Sequence, residues 1–476
     1  MSKVQLRLSV VLLLLCGLGL PACLPPPDGA RSQWLRSTLV EDNLNGLRRE
    51  PEAVEGKFGR MALDPYDWLR GSLGQFRRDL AQRGPGALPT AFGEGPELLL
   101  VGDPHLENIG TFADPSGQVA LEFNDFDAAT YGPWIVDVRR LATSAWLAAE
   151  GCGLDGGAAA SSVADAYATQ VTRGDSNAAP SLTTAAPLVD DALARGQRGL
   201  AENAGLADFT EVDAAGRRRL KRGEFEARPL PFVVDDALVD ATPDVIAGLT
   251  AALPMLIDSL AGGVAVTPEM LRVKDIARRW GTGVSSYPLL RFYILVEGPT
   301  SDVDDDWLLE AKEAPDSGRF EGLSADRFAW RFDHNAARIV SHQRTLQGRA
   351  DADFLLGFVR VGPLSLRVRS LRGDQSGLSV QRLCRKVTTG DATVDDLLGV
   401  MRFAGGLLAR AHARGETPSG RPAGPLLAAA LLGREVAFRD EVQRFAQAYG
   451  YTSLDDFDRL RALLSAHGPR LGFVSP

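Results

Sequence analysis

The pattern of apolar and polar positions along the chain changes period twice. Over residues 33–82, Trp68, Leu69, Leu73, Phe76 and Leu80 recur at helical spacing. Residues 98–101 and 119–123 are short apolar runs that predict strands, separated by a turn at Asp114-Pro115-Ser116-Gly117. Pro133 is placed to open a helix whose buried stripe is Trp134, Val138, Leu141 and Ala145. An Ala-rich helical region follows, then a charged, loop-rich stretch over about 205–230. From about residue 270 strand patterns dominate: 290–296, 307–311, and 354–368 as a hairpin turning at Gly362-Pro363. From about 393 the chain reads helical again, with Leu397, Met401, Ala404, Leu408 and Ala411 on one stripe. Helical part, sheet part, helical part predicts an α+β architecture. A β-rich lobe over 263–375 interrupts a helical lobe made of 33–262 and 376–476.

The N-terminus reads as an address. Lys3 and Arg7 precede an apolar run over residues 8–20, too short to span a membrane comfortably and suited to a secretory signal over 1–22. Leu20-Pro21-Ala22-Cys23 resembles the bacterial lipoprotein processing box. That resemblance implies a lipid anchor on Cys23, a membrane partner and a place in the cell envelope, with 23–32 as a proline-stiffened tether. Of the remaining cysteines, Cys16 leaves with the signal, while Cys152 and Cys384 form either one disulfide or two buried thiols.

Composition narrows the function. The chain has 476 residues, 45% hydrophobic and 24% charged, which is ordinary for a globular protein. A net charge of -9 argues against a dedicated nucleic-acid binder, which needs a basic footprint. Five histidines are too few for a multi-histidine metal centre, so a two-metal phosphoesterase built on Asp103-Pro104-His105 is disfavoured. Arg outnumbers Lys 46 to 6, so a lysine inside an apolar segment is informative.

The densest chemistry is Gly102-Asp103-Pro104-His105-Leu106-Glu107-Asn108, followed by Phe123-Asn124-Asp125-Phe126-Asp127. Both follow apolar strands, so Asp103, Asn108, Asp125 and Asp127 sit on loops at strand ends. Four oxygen-bearing side chains there suit a hard cation such as Mg²⁺; the alternative is that they only cap turns. Later, Lys312 ends the run Trp307-Leu308-Leu309-Glu310-Ala311-Lys312, and Gly281-Thr282-Gly283-Val284-Ser285-Ser286 precedes a strand. A lysine ammonium is a point charge for phosphate, and a glycine turn covers phosphates. The alternative for Lys312 is an edge-strand lysine paired with Glu310 or Glu313.

Gly102-Asp103-x-His105-x-x-Asn108 followed by Asp125-Phe126 resembles the catalytic core of small-molecule kinases of the aminoglycoside phosphotransferase and choline kinase type. The resemblance implies Mg²⁺ and ATP as cofactors and a hydroxyl acceptor. It makes Asp103 the catalytic residue that orients the acceptor hydroxyl, with His105 beside it as a brace of the loop. It makes Asn108 and Asp125 metal ligands with Asp127 beside them, Lys312, Gly281 and Gly283 nucleotide-binding, and Asp137 a support for the loop. Asp137 also suits the positive end of its own helix. The segment Ala409-Arg410-Ala411-His412 resembles the helix that normally leads into the catalytic loop, yet here it comes last. A circular permutation accounts for that order.

The whole set, with Arg60-Met61, Pro65 through Gly71, Gly132-Pro133-Trp134, Arg139-Arg140-Leu141 and Gln343-Arg344, resembles a bacterial family designated domain of unknown function 2252 over about 55–415. One departure stands out. Residues 335–347 carry Ser341 and His342 but no acid to pair with Lys312. The alternative function is therefore a catalytically degenerate, nucleotide-binding or interaction protein on the same fold.

Overall fold

A computed structural model describes residues 29–81, 91–92, 95–114, 116–174, 186–226, 236–261, 265–317, 332–348 and 353–474. The proposed signal and Cys23 lie outside the described residues. Ala30 already belongs to a helix, so any tether ends before residue 32.

The described N-terminal part folds as the helices Ala30–Asp42, Leu44–Arg49, Pro51–Met61, Pro65–Gly71 and Leu73–Ala81. Pro51 and Pro65 each start a helix, where a missing N–H costs nothing. Asp64 caps the fourth by accepting from the N–H groups of Tyr66 and Asp67. Two small antiparallel pairs follow. β1 (Glu97–Leu100) pairs with β4 (Thr130–Pro133), and β2 (Ile109–Ala113) with β3 (Val119–Phe123). Pro133 closes β4 rather than opening the helix, which runs Ile135–Gly151.

The stretch predicted as loop-rich holds β5 (Thr210–Val212), β6 (Arg218–Leu220) and β7 (Gly223–Glu226), and β8 (Asp236–Asp240) follows it. Then come β9 (Val273–Trp280), β10 (Arg291–Val296), β11 (Trp307–Glu313), the helix Asn335–Leu346, β12 (Gly357–Val361) and β13 (Leu364–Ser370). Seven strands form one antiparallel sheet in the order β12-β13-β11-β10-β9-β8-β7. The sheet therefore begins at Gly223, ahead of the boundary near 263 suggested by the sequence. Strands this short carry too few alternations to stand out from loop.

The sheet's two faces differ by the period of two. Phe292, Ile294, Leu309, Ala311, Leu366 and Val368 bury one face against Leu249, Leu253 and Leu256. Tyr293, Leu295 and Leu308 lie on the other with Leu206 and Leu238. On that second face the far end turns charged, with Arg291, Glu310, Lys312, Arg367 and Arg369. The two helical parts share one core, in which Trp134, Val138, Leu141 and Ala145 join Leu397, Met401, Ala404 and Leu408. The chain passes from β13 back to these helices along the β2–β3 hairpin. Thr111 N–H donates to the Ser376 carbonyl at 2.9 Å and Ala113 N–H to Asp374 Oδ2 at 2.7 Å. Cys152, just past the helix Ile135–Gly151, is joined by a disulfide to Cys384 in the helix Val380–Thr389. Among the described residues, no helix is long and apolar enough to cross a membrane.

Candidate functional site

An open cleft lies between the charged end of the sheet and the loops that follow β1 and β3. Its loop wall carries Asp103, His105, Asn108, Asn124 and Asp125; its sheet wall carries Arg291, Glu310, Lys312, Arg367 and Arg369. Gly283, Ser285 and Ser286 close one side. Segments some two hundred positions apart in the chain thus meet in one place.

The loop wall is built from the backbone out. Gly102 has φ +95°, and a Cβ there would lie 2.1 Å from the Ala128 carbonyl oxygen, so only glycine fits. Asp137, fully buried in the first turn of the helix Ile135–Gly151, accepts from the N–H of Val101 at 2.8 Å and of Gly102 at 3.3 Å. His412 Nε2 lies 3.1 Å from the same carboxylate, and Tyr167 holds His412 Nδ1 at 2.8 Å. Arg77 spans the Gly102 and Ala128 carbonyls, both at 3.1 Å, and so ties the two loops together.

Asp103 sits on this platform, with Arg140 Nε donating to its Oδ1 at 2.8 Å. Burial pushes its pKa up, and the neighbouring Arg140 and Arg77 only partly offset this. Asn108 donates its side-chain amide to the Asp103 carbonyl at 2.9 Å, which leaves its side-chain oxygen as the acceptor end. His105 is buried, edge-on to Tyr66, and burial with nearby Arg70 and Arg140 keeps it neutral. Its Nδ1 has no hydrogen-bond partner among the described residues.

Lys312 is not on an edge strand. β11 runs between β10 and β13, and Lys312 is 2% exposed. Its Nζ lies 2.5 Å from Asp127 and 3.5 Å from Asp125, rather than on Glu310 or Glu313. The two acids diverge. Burial opposes ionisation of Asp125, but Lys312, Arg367 and Arg291 outweigh it and hold this carboxyl far below the usual range. Burial and the adjacent Asp125 push Asp127 up. Asp127 stands behind the cleft lining, its N–H donating to Asp125 Oδ1 at 3.1 Å and its carbonyl accepting from Arg338 at 3.0 Å.

Of the two glycines, Gly283 reaches the cleft and Gly281 does not; both have φ +81°. Arg60 Nη1 holds the Gly283 carbonyl at 2.7 Å. Glu310 is fully ionised against Arg291 at 3.0 Å and Arg369 at 2.8 Å, its burial outweighed by these cations.

The sequence pattern assigned nothing to Arg291, Arg367 or Arg369, and offered Glu310 only as an alternative partner of Lys312. The alternation Arg367-Val368-Arg369 in a strand was the available signal, since it sets two cations on one face.

Among the described residues, no group of three or more His, Cys, Asp or Glu side chains could hold a metal by itself. Asp125 and the Asn108 oxygen fit the sparser set that Mg²⁺ uses when ligand phosphates and waters complete it.

No curated protein and no solved structure matches the chain. A family model described as an uncharacterized protein conserved in bacteria matches residues 49–463. With most of its length so matched, the chain belongs to that family, DUF2252.

Proposed function

We propose that this protein is a Mg²⁺-dependent phosphotransferase on a circularly permuted kinase-like fold, acting on a hydroxyl of a small molecule or envelope component. The observation that carries the reading is that Lys312, from the sheet wall, meets Asp125 and Asp127 of the loop side, where Asp103 and Asn108 line the same cleft. Counted from the strand before the glycine turn, Lys312 lies on the third strand, as the phosphate lysine does in protein kinases. The end of the helix Val394–Arg414 supports the permutation. The carbonyl of Glu416, just beyond it, accepts from the N–H of Leu99 in β1, which leads into Asp103. Helix and catalytic loop are thus adjacent in space though distant in sequence.

On this reading Asp103 accepts the proton of the acceptor hydroxyl as its oxygen attacks the terminal phosphorus and the bond to the leaving diphosphate breaks. Arg140 fixes the carboxylate for that role. Lys312 neutralises phosphate charge. Asp125 and Asn108 would hold the metal, whose part is to offset charge on the phosphates. The disulfide supports export of the chain, since such bonds persist in oxidising compartments, and Cys23 would then anchor it in the envelope.

The absence of an acid in the helix Asn335–Leu346 favours a second reading, a nucleotide-binding protein without turnover. Titrating Mg·ATP into the purified protein and measuring hydrolysis or transfer separates the two. Turnover that falls about 10²–10⁴-fold in Asp103→Asn, with binding lost in Asp125→Ala, is expected for the enzyme. Binding without turnover favours the second reading, and absence of both sinks the first.

A further inference from the structure

The sheet wall holds more positive charge than its carboxylates neutralise, and the excess falls on one residue. Register sets Arg291 directly opposite Lys312, and Lys312 directly opposite Arg367, across three adjacent strands. Like charges placed opposite one another destabilise a sheet unless something is set against them. Glu310 takes Arg291 and Arg369. Asp125 and Asp127 take Lys312. Among the described residues Arg367 has one ion pair, Nη2 to Glu310 Oε1 at 3.5 Å, and otherwise feels Asp125 and Asp127 only at longer range. Its side chain is 3% exposed, and its Nε and Nη1 have no hydrogen-bond partner among the described residues. A guanidinium does not shed its proton, so burial cannot be relieved by neutralisation. Arg367 lines the cleft, so these two nitrogens are placed to donate to a group bound there.

We propose that Arg367, flanked by Lys312 and Arg291, is an oxyanion subsite that takes a phosphate group of the cleft's ligand. A planar guanidinium pairs with a phosphate through two parallel hydrogen bonds, and the flanking cations suit a multiply charged group better than a carboxylate. Grip on the ligand then comes from three cations on neighbouring strands rather than from Lys312 alone. Lys312 takes its carboxylate partners from Asp125 and Asp127 in place of a helix acid, and Glu310 orders the arginines beside it. The inference deepens the phosphotransferase reading and rests on it for the identity of the anion as phosphate.

The test uses inorganic phosphate, pyrophosphate and ATP as separate probes on the full protein, read by calorimetry and by thermal shift. Pyrophosphate is expected to bind and to raise the melting temperature of the native protein. In Arg367→Gln the affinity falls at least about tenfold and the thermal shift vanishes, while the ligand-free protein melts no lower. A purely structural arginine would instead lower the ligand-free melting temperature and leave pyrophosphate affinity unchanged, which overturns the proposal. So does a native protein that binds none of the three probes. Should the glutamine variant fail to fold, Arg367→Lys keeps the charge but loses the paired geometry, and affinity within twofold of native refutes the subsite. The two readings fail separately. Phosphate binding without turnover removes the transferase and keeps the subsite, whereas undiminished turnover and affinity in Arg367→Gln removes only the subsite.

Discussion

Lys57 shows how closely charge is managed near this cleft. It is buried in the helix Pro51–Met61 and donates to Asn43 Oδ1 at 2.9 Å. Burial, opposed by Asp42 and Asp103, brings its pKa from 10.5 down to about 8. Below that value both states hold the proton and the folded state bears the full desolvation penalty. Between about 8 and 10.5 the unfolded chain binds more protons, so this contribution to stability rises with pH and is lost again as pH falls. Lys57→Met is expected to stabilise the protein near neutral pH by up to about 3 kcal/mol. It should also flatten the pH dependence of urea unfolding across that window; an unchanged slope would count against the assignment. At this scale the acids were legible, because Asp and Asn beside apolar strands are unusual. The arginines were not, because among 46 of them no single one is conspicuous until register aligns it.

Between elements, the glycine turn owes its position to the N-terminal helices. Arg60 holds the Gly283 carbonyl and lies 5.0 Å over the Tyr287 ring, and Gly56 leaves that ring its room. Arg49 reaches both Glu313 and the Pro288 carbonyl, and Glu50 pairs with Arg278. A turn strapped in this way cannot close over a ligand freely. Removing the strap by Arg60→Ala is expected to weaken ATP affinity about tenfold, measured by calorimetry. Unaltered affinity would mean that the turn holds itself. The helices and the central strands were readable from their periods, as was the hairpin at Gly362. The strap was not, since nothing local in residues 46–60 reveals that their partners lie more than two hundred positions away.

Across the whole molecule, the α+β build was written in the order of patterns, but the extent of the sheet was not. β7 and β8 are short, and each is a strand by pairing with its neighbour, β8 along β9 and β7 along β8. The same long-range dependence governs the disulfide, whose two cysteines lie 232 positions apart, so that sequence alone left pairing and free thiols equally open. The bond joins the two helical segments on either side of the sheet and so closes the entire β-rich insertion into a covalent ring. In a chain-entropy account a loop of that size contributes roughly 5 kcal/mol. A protease that nicks any exposed turn inside this ring leaves both fragments attached. The cut chain is expected to migrate as one species on a non-reducing gel and as two after thiol treatment; separation without reductant would show the ring to be open. An unfolded insertion, whole or nicked, thus keeps its two ends tethered at one point, which shortens the search by which its strands pair again.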